Sequence, residues 1–354
     1  MPRANGSPGG AQVRASGLAR VREAGRGERL TGRGVPRRQI AEIQRSRLLA
    51  AAVRAADERG YANTTVADIV ARSLVSRRTF YEMFADREEC LAAALEDALA
   101  LIEAELDQAS LGGLSWRERL RNGLWAILTF FDREPVLARV CVVGALSGGP
   151  AVLERREEVL AGLVRVVDEG RVQSGARARE CTSLTAEGLV GAAMAILYAR
   201  LLKDKREPLT GLLGELMGMI VLPYLGPAAA RREQTRPAPV RSPASVRAAA
   251  VSVREQPDPL EGVPMRLTYR TARVLEGARE HPGASNRQVA DHAGIQDPGQ
   301  VSRLLRRLER LGLLANTGHG AHLKGESNAW SLTAKGEQVT RSIQMHTPPQ
   351  HQAA

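Results

Sequence analysis

Residues 65–84 read TVADIVARSLVSRRTFYEMF, and this stretch decides the fold. Thr65 stands where a helix wants its N-cap, and Val66, Ile69 and Val70 follow at the spacing of one helical face. A tight turn is expected at Ser73 to Val75. Ser76 then caps a second short helix whose Phe80, Met83 and Phe84 face inward. Two short helices joined by such a turn form a helix-turn-helix. With the aromatic rings committed to the core, Arg77, Arg78, Tyr81 and Glu82 project from the other side. Arginine is the side chain best suited to bidentate contact with guanine in the major groove, so this outward face is a candidate DNA reader.

Helical patterning continues on both flanks. Leu48, Leu49, Ala52, Val53 and Ala56 recur at three- and four-residue steps until Gly60, a helix stop. Asp86 caps a long run with Glu88 and Glu89 in its first turn and Leu91, Leu95, Ala98, Leu99, Ile102 and Leu106 on one face. Further helical patterns cover about 116–132, 134–147, 151–174, 183–203 and 208–225, and no strand-like alternation of convincing length interrupts them. The fold class is therefore mainly α.

From Leu48, through LLAAAVRAADERGYANTTVADIV and on to VSRRTFYEMFADREECL, the chain resembles the TetR family of bacterial regulators. The resemblance implies an all-helical homodimer whose second short helix enters the major groove, with a helical body that binds a small effector. It puts Thr65, Ser76, Thr79, Tyr81 and Arg87 on DNA-contacting positions. Tyr81 and Arg87 would grip phosphates while Arg77, Arg78 and Thr79 face bases, the division of labour expected of positioning and reading contacts. It also implies that helices at about 183–203 and 208–225 meet their copies in a four-helix interface. Two-fold symmetry would then set two readers one helical turn apart, ~34 Å, on a near-palindromic operator. Leu74 stands where the family usually has a turn glycine, and a left-handed backbone there would cost a non-glycine residue about 1–2 kcal/mol. Arg78 replaces a frequent small residue and Met83 a frequent phosphate-binding His or Tyr, so sequence preference does not carry over from relatives.

The chain has 354 residues and a formal net charge of +11. That length suggests about two domains plus connecting chain. The charge is uneven: residues 1–39 and 265–345 are strongly basic, while 40–110 is acidic. Residues 1–36 are Gly- and Arg-rich, nearly free of large apolar side chains and read as a flexible arm, one that could lie in the minor groove. Residues 226–264 hold seven prolines among Ala and Arg, which is linker composition, and as a flexible tether their 39 residues would span ~31–37 Å. The expected organisation is thus an arm at 1–36, a helix-turn-helix domain at 37–110, a helical effector-binding and dimerisation body at 111–225, a linker at 226–264, a second domain at 265–345 and a tail at 346–354.

That second domain reads as a winged helix. Leu267 to Arg279 and Asn286 to Ala293 are amphipathic, and a third helix, Pro298 to Leu311, follows Asp297 with proline at its first position. Val301, Leu304, Leu305, Leu308 and Leu311 face inward, leaving Gln300, Ser302, Arg303, Arg306, Arg307 and Arg310 outside. Leu313 to Thr317 and NAWSLT read as two strands around a polar loop, and Thr333 caps a last helix. The pattern, especially QVSRLLRRLERLGLL and SLTAKGEQV, resembles MarR-type winged-helix domains. On that resemblance Gln300, Ser302, Arg303, Arg306 and Arg307 are candidate DNA contacts, with Lys324, His319 and His322 on the wing.

The body carries Trp116, Trp125, Phe130, Phe131, Tyr198 and Tyr224, half of the chain's aromatics, with Met194, Met217 and Met219. They serve core and dimer packing, and some are expected to line an apolar effector cavity. Gly188, Gly191, Ala192 and Ala195 make a small-residue face suited to close helix approach.

Enzyme chemistry is not expected. All six His lie at 281 or later, no nucleophile, His and acid grouping stands out, and the early glycines lack the strand and helix of a phosphate loop. Three widely spaced Cys exclude a zinc-finger pattern, and His319 and His322 have only Glu326 beside them, so neither metal nor cofactor is expected. No signal-peptide core precedes the arginines of the arm, and the most apolar run, 188–199, is short of a membrane span, so a cytoplasmic location is expected, on the nucleoid when bound to DNA. The reading is a ligand-responsive repressor. The alternative is an effector-independent structural protein that bridges DNA.

Overall fold

The computed structural model describes residues 35–109, 111–174, 181–203, 207–239, 260, 263–318 and 328–345. The first helix, α1 (Arg37–Arg59), is longer than the sequence suggests. Ile40, Ile43, Arg47, Leu48, Ala51, Ala52 and Ala55 repeat at helical spacing and are all buried, and Gly60, at φ 79°, ends the run by donating its N–H to the Ala56 carbonyl. A 3₁₀ turn (Tyr61–Asn63) leads to α2 (Val66–Ser73) and α3 (Arg77–Met83), the expected helix-turn-helix, and α4 (Arg87–Gln108) runs from it into the body. Ile69, Phe80, Phe84, Cys90 and Leu91 close the head's core against the second half of α1.

The body is α5 (Trp116–Arg133), α6 (Pro135–Val142), a 3₁₀ turn (Gly144–Ser147), α7 (Pro150–Asp168), the single turn α8 (Gly170–Gln173), α9 (Ser183–Leu201) and α10 (Leu213–Leu225). Trp116 and Tyr224 stack edge to face at 5.4 Å in its centre. One further helix was not expected: α11 (Pro227–Thr235) occupies the start of the supposed linker and folds back along α10. Gly214 and Gly218 permit the approach, since a Cβ on Gly214 would sit 2.6 Å from the Gln234 carbonyl oxygen. A buried ion pair holds it: Arg121 Nη1 donates to Glu233 Oε2 and to the Glu233 carbonyl, both at 3.1 Å, and Nη2 reaches the carbonyls of Arg236 and Pro237. Such a pair is costly to break from one side, because the remaining charge is stranded.

The C-terminal module is α12 (Tyr269–Glu280), α13 (Asn286–Ala293), α14 (Pro298–Arg310), β1 (Leu314–Asn316), β2 (Trp330–Leu332) and α15 (Ala334–Met345). The strands pair antiparallel with Leu314 opposite Leu332 and Asn316 opposite Trp330, and Ala284 adds a bridge to Trp330. Ser285 and Asp297 cap their helices, and Thr333, read as the cap of the last helix, accepts the N–H of Gly336 at its Oγ1.

This module is not merely tethered. Val35, Ile40 and Ile43 belong to the same buried cluster as Leu260, Val263, Met265, Leu267, Leu275 and Ile343. Polar contacts fix the docking. Gln39 Nε2 donates to the Ile343 carbonyl at 2.7 Å, Gln44 Nε2 to that of Leu267 at 2.6 Å, Arg47 Nη1 to that of Met265 at 3.1 Å, and Glu276 Oε1 accepts the Val35 N–H at 3.2 Å. Arg37 also lies over the Tyr269 ring, 4.8 Å from its centroid. The expected linker therefore differs at both ends, as helix on the body and as a strap packed along α1. The composition that reads as linker hides this because Leu260 and Val263 share a buried cluster with Val35, Ile40 and Ile43, more than two hundred residues away. In chemical denaturation of the whole chain, Ile43→Ala should lower stability by about 2–4 kcal/mol, while the exposed neighbour Ser46→Ala should stay within ~0.5 kcal/mol.

Candidate nucleic-acid interface

Local hydrogen bonds set the reader. Thr65 Oγ1 accepts the Asp68 N–H at 3.2 Å while Asp68 Oδ2 takes the Thr65 hydroxyl at 2.6 Å, a reciprocal cap on α2. Those bonds hold the Asp68 carboxyl below its usual range, helped by Arg59 and Arg72. Leu74 makes the turn in the left-handed conformation, φ 55° and ψ 24°, the sole non-glycine residue with positive φ among the described residues. The turn geometry is thus kept, and leucine bears the strain. Ser76 Oγ accepts the Thr79 N–H at 3.0 Å and is 2.8 Å from Thr79 Oγ1.

With Phe80 fully buried, α3 presents Arg77, Arg78, Tyr81 and Glu82 to solvent, as expected. Tyr81 is 52% exposed and braced edge to face against Phe80. Arg78 Nε donates to Glu82 Oε1 at 2.9 Å, an exposed i,i+4 pair that a phosphate or base can displace at little cost. Arg77 has no hydrogen bond or ion pair among the described residues. Thr65, Ser76 and Thr79 serve as caps, and Thr79 is half-buried. Arg87 is not a free cation. Its Nη1 donates to the carbonyls of Ala62 and Thr64, both at 2.8 Å, so it ties the start of α4 to the segment that leads into the Thr65 cap. Sequence spacing does not reveal that inward turn.

The second basic face lies on α14. Arg303, Arg306, Arg307 and Arg310 are exposed, opposite buried Val301, Leu305 and Leu308. Gln300 and Ser302 are less outward than expected. Gln300 accepts a bond from Arg270 Nη1 at 3.2 Å, and Ser302 Oγ accepts from Asn286 Nδ2 at the same distance. Asn286 is a hub that the sequence reading missed: its Oδ1 also takes the Trp330 indole N–H at 2.6 Å and the Asn328 amide at 3.2 Å. Lys324, His319 and His322 lie outside the described residues, as does the arm before Val35.

Two features of the body bear on control of these faces. A cavity of about 480 Å³ lies between α6, α7 and α9, lined by Val142, Leu160, Val164, Met194 and Tyr198 with Arg156 and Glu187 as polar groups. Arg156 Nε is buried without a hydrogen-bond partner. Of the aromatics and methionines expected near an effector, Tyr198 and Met194 line this cavity, while Trp116, Phe130, Tyr224 and Met217 are buried in the core. The element that supplies Val142 also touches the head, because Arg139 on α6 makes a two-pronged ion pair with Asp57 on α1. That bond raises the Arg139 pKa further. Just beyond, Gly144 faces the buried Tyr61 ring so closely that a Cβ would lie 2.4 Å from it.

The second feature is α9. By length and a mean hydropathy of 1.3 it could cross a membrane, yet only 22% of that window is buried. Its exposed side carries Leu184, Gly188, Gly191, Ala195 and Ala199. Its expected partner at a subunit interface, α10, packs on the body core and α11 and leaves Leu222 exposed. Burial pushes the Cys90 and Cys141 thiols up to about 12, which removes both as thiolate nucleophiles near neutral pH.

Residues 48–94 match the family described as bacterial regulatory proteins, tetR family. A segment of 96 residues is 28% identical to the HTH-type transcriptional regulator HbdR of Aromatoleum sp. (strain CIB), covering 27% of this chain and 42% of that protein. The fatty acid degradation regulator FadR from Bacillus halodurans is similar over 50% of this chain and 94% of its own, at 19% identity and a TM-score of 0.44. FadR from Bacillus subtilis, solved in complex with stearoyl-CoA, is similar over 50% of this chain and 98% of its own, at 18% identity and a TM-score of 0.43. For the turn itself, Leu74→Gly should raise stability by about 0.5–1 kcal/mol, the relieved left-handed strain less the extra chain entropy of glycine; a lower urea midpoint would contradict strain at this position.

Proposed function

We propose that this chain is a TetR-family transcriptional regulator that reads DNA through the segment matching that family, residues 48–94, and that it acts as a ligand-responsive repressor and homodimer on a near-palindromic operator. The observation that carries the DNA reading is α3. A helix capped at its start and fixed from behind by Phe80 holds Arg77, Arg78 and Tyr81 outward, on the face a major groove would meet. Arg77 and Arg78 are the base-reading candidates. Tyr81 is the phosphate contact, and Thr65, Ser76, Thr79 and Arg87 hold the frame.

The dimer contact we assign to α9, because an exposed stripe of small and apolar residues at helical spacing suits a second copy packed closely across a two-fold axis. The cavity between α6, α7 and α9 is the effector site in this reading, an apolar chamber with a cation and an acid near its walls. Coupling would follow a short path. An effector that favours one position of α6 bears on Arg139–Asp57 and on Tyr61 against Gly144, and so on the seat of α1 beneath the reader. The cavity and this path favour the responsive regulator over an effector-independent bridging protein.

The C-terminal module we take as a winged helix and second DNA contact. Its support is the order of three helices, paired strands and closing helix, with Arg303, Arg306, Arg307 and Arg310 exposed along α14. Because the module is docked on α1, its reach is set by that contact and not by a free 39-residue tether.

Binding to operator fragments selected by the full chain tests the reader. Arg77→Ala or Arg78→Ala should change base preference and cost about 1–3 kcal/mol at the affected pair, whereas Tyr81→Phe should weaken binding across all sequences. Unchanged affinity and preference in all three variants would remove α3 as the reader.

A further inference from the structure

At the junction of α12 and α13 lies a cluster that DNA binding does not use. Glu280 ends α12, His281 is the residue that caps it, and His292 projects from α13. One ligand atom from each lies within 4.8 Å of the other two. The two imidazoles meet edge to face with centroids 6.0 Å apart. His292 Nδ1 is 3.8 Å from Glu280 Oε2, and its Nε2 is 3.9 Å from Glu276 Oε2. That Nε2 is buried with no hydrogen-bond partner, an orphan polar atom of the kind native structures rarely leave. The ring is held from behind by Gly277, where a Cβ would come 2.9 Å from His292 Cδ2.

We propose that Glu280, His281 and His292 form a site for a divalent transition metal of zinc's class. Two imidazoles and one carboxylate are a donor set that zinc takes, with a fourth position left for water. Bonds of ~2.0–2.1 Å in a tetrahedron set neighbouring donors about 3.4 Å apart, so these three need to close by at most ~1.4 Å. Glu280 and His281 are exposed and able to make that movement, while the half-buried His292 ring stays fixed.

The surroundings fit ligation through His292 Nδ1. That leaves the Nε2–H directed at the Glu276 carboxylate, the carboxylate behind histidine that orients and strengthens such ligands. Burial, then the neighbouring Arg273, lowers the His292 pKa from its ordinary value. Glu276 itself is 1% exposed and already accepts from Arg273 and from the Val35 N–H that precedes α1. An occupied site would therefore tighten a carboxylate shared with the docking of the first helix. The histidines that sequence spacing brings together are His319 and His322. Histidines eleven residues apart on two helices carry no comparable spacing signal.

The test is titration of the tag-free full chain with Co²⁺ and then Zn²⁺. One equivalent of Co²⁺ should give the visible absorption of a low-coordinate site, and one equivalent of Zn²⁺ should abolish it. His292→Ala and His281→Ala should each weaken binding at least tenfold, and the His319→Ala/His322→Ala double variant should leave it unchanged. His281 is exposed, so its variant keeps the test valid if His292→Ala misfolds. No saturable absorption at micromolar metal, or absorption that survives His281→Ala or vanishes with the His319/His322 double variant, would overturn the proposal.

Discussion

Helix α1 is shared between two cores, and the rest of the molecule is arranged by that fact. Its second half, with Leu48, Leu49, Ala52 and Ala56, closes the core of the helix-turn-helix. Its first half, with Ile40 and Ile43, completes the core of the C-terminal module. Each fully buried isoleucine contributes roughly 1.5–3 kcal/mol, so the shared helix is a structural joint and not an incidental contact. Arg47, buried at the boundary and bonded to the Met265 carbonyl, marks where one core gives way to the other. Any shift of α1 is felt by both modules.

The body reaches the same helix from its other end. Asp57 meets Arg139, and the turn after Gly60 sets Tyr61 against Gly144 and Ala145. Both contacts come from the segment that also walls the cavity. In the proposed reading an effector in that cavity would bear on Asp57 and Tyr61, at the end of the helix whose second half closes the core behind α3. Linkage of that kind requires only that the effector bind unequally to two positions of α6, since coupling is a difference of affinities. The open stripe on α9 borders the same cavity, so the proposed subunit contact and effector site would be neighbours in the fold.

What was legible in the sequence was local. The Thr65, Ser76 and Asp86 caps and the amphipathic α14 depend on residues within one or two turns, so spacing alone reveals them, while the turn at Leu74 was implied by the family resemblance. What stayed hidden depends on partners far along the chain. Gln39 bonds the Ile343 carbonyl 304 residues on, Arg47 that of Met265 218 residues on, and Arg121 pairs with Glu233 112 residues on. A Pro-, Ala- and Arg-rich composition reads as linker until Glu233 and Val263 are seen to be buried against distant partners. The candidate site shows the same division. The exposed arginines of α3 and α14 follow from periodicity, whereas the inward bonds of Arg87, Gln300 and Ser302 need the fold.

The shared role of α1 is tested most directly by the distance between spin labels on the two modules. Labels at Ala71→Cys on α2 and Arg310→Cys on α14, both exposed positions, would be placed in a chain whose three native cysteines are replaced and diluted with unlabelled protein. Double electron–electron resonance should then give one narrow distance distribution, broadened by Gln44→Ala/Arg47→Ala. A broad distribution in the parent chain, of the width a free 39-residue linker would allow, would contradict the account.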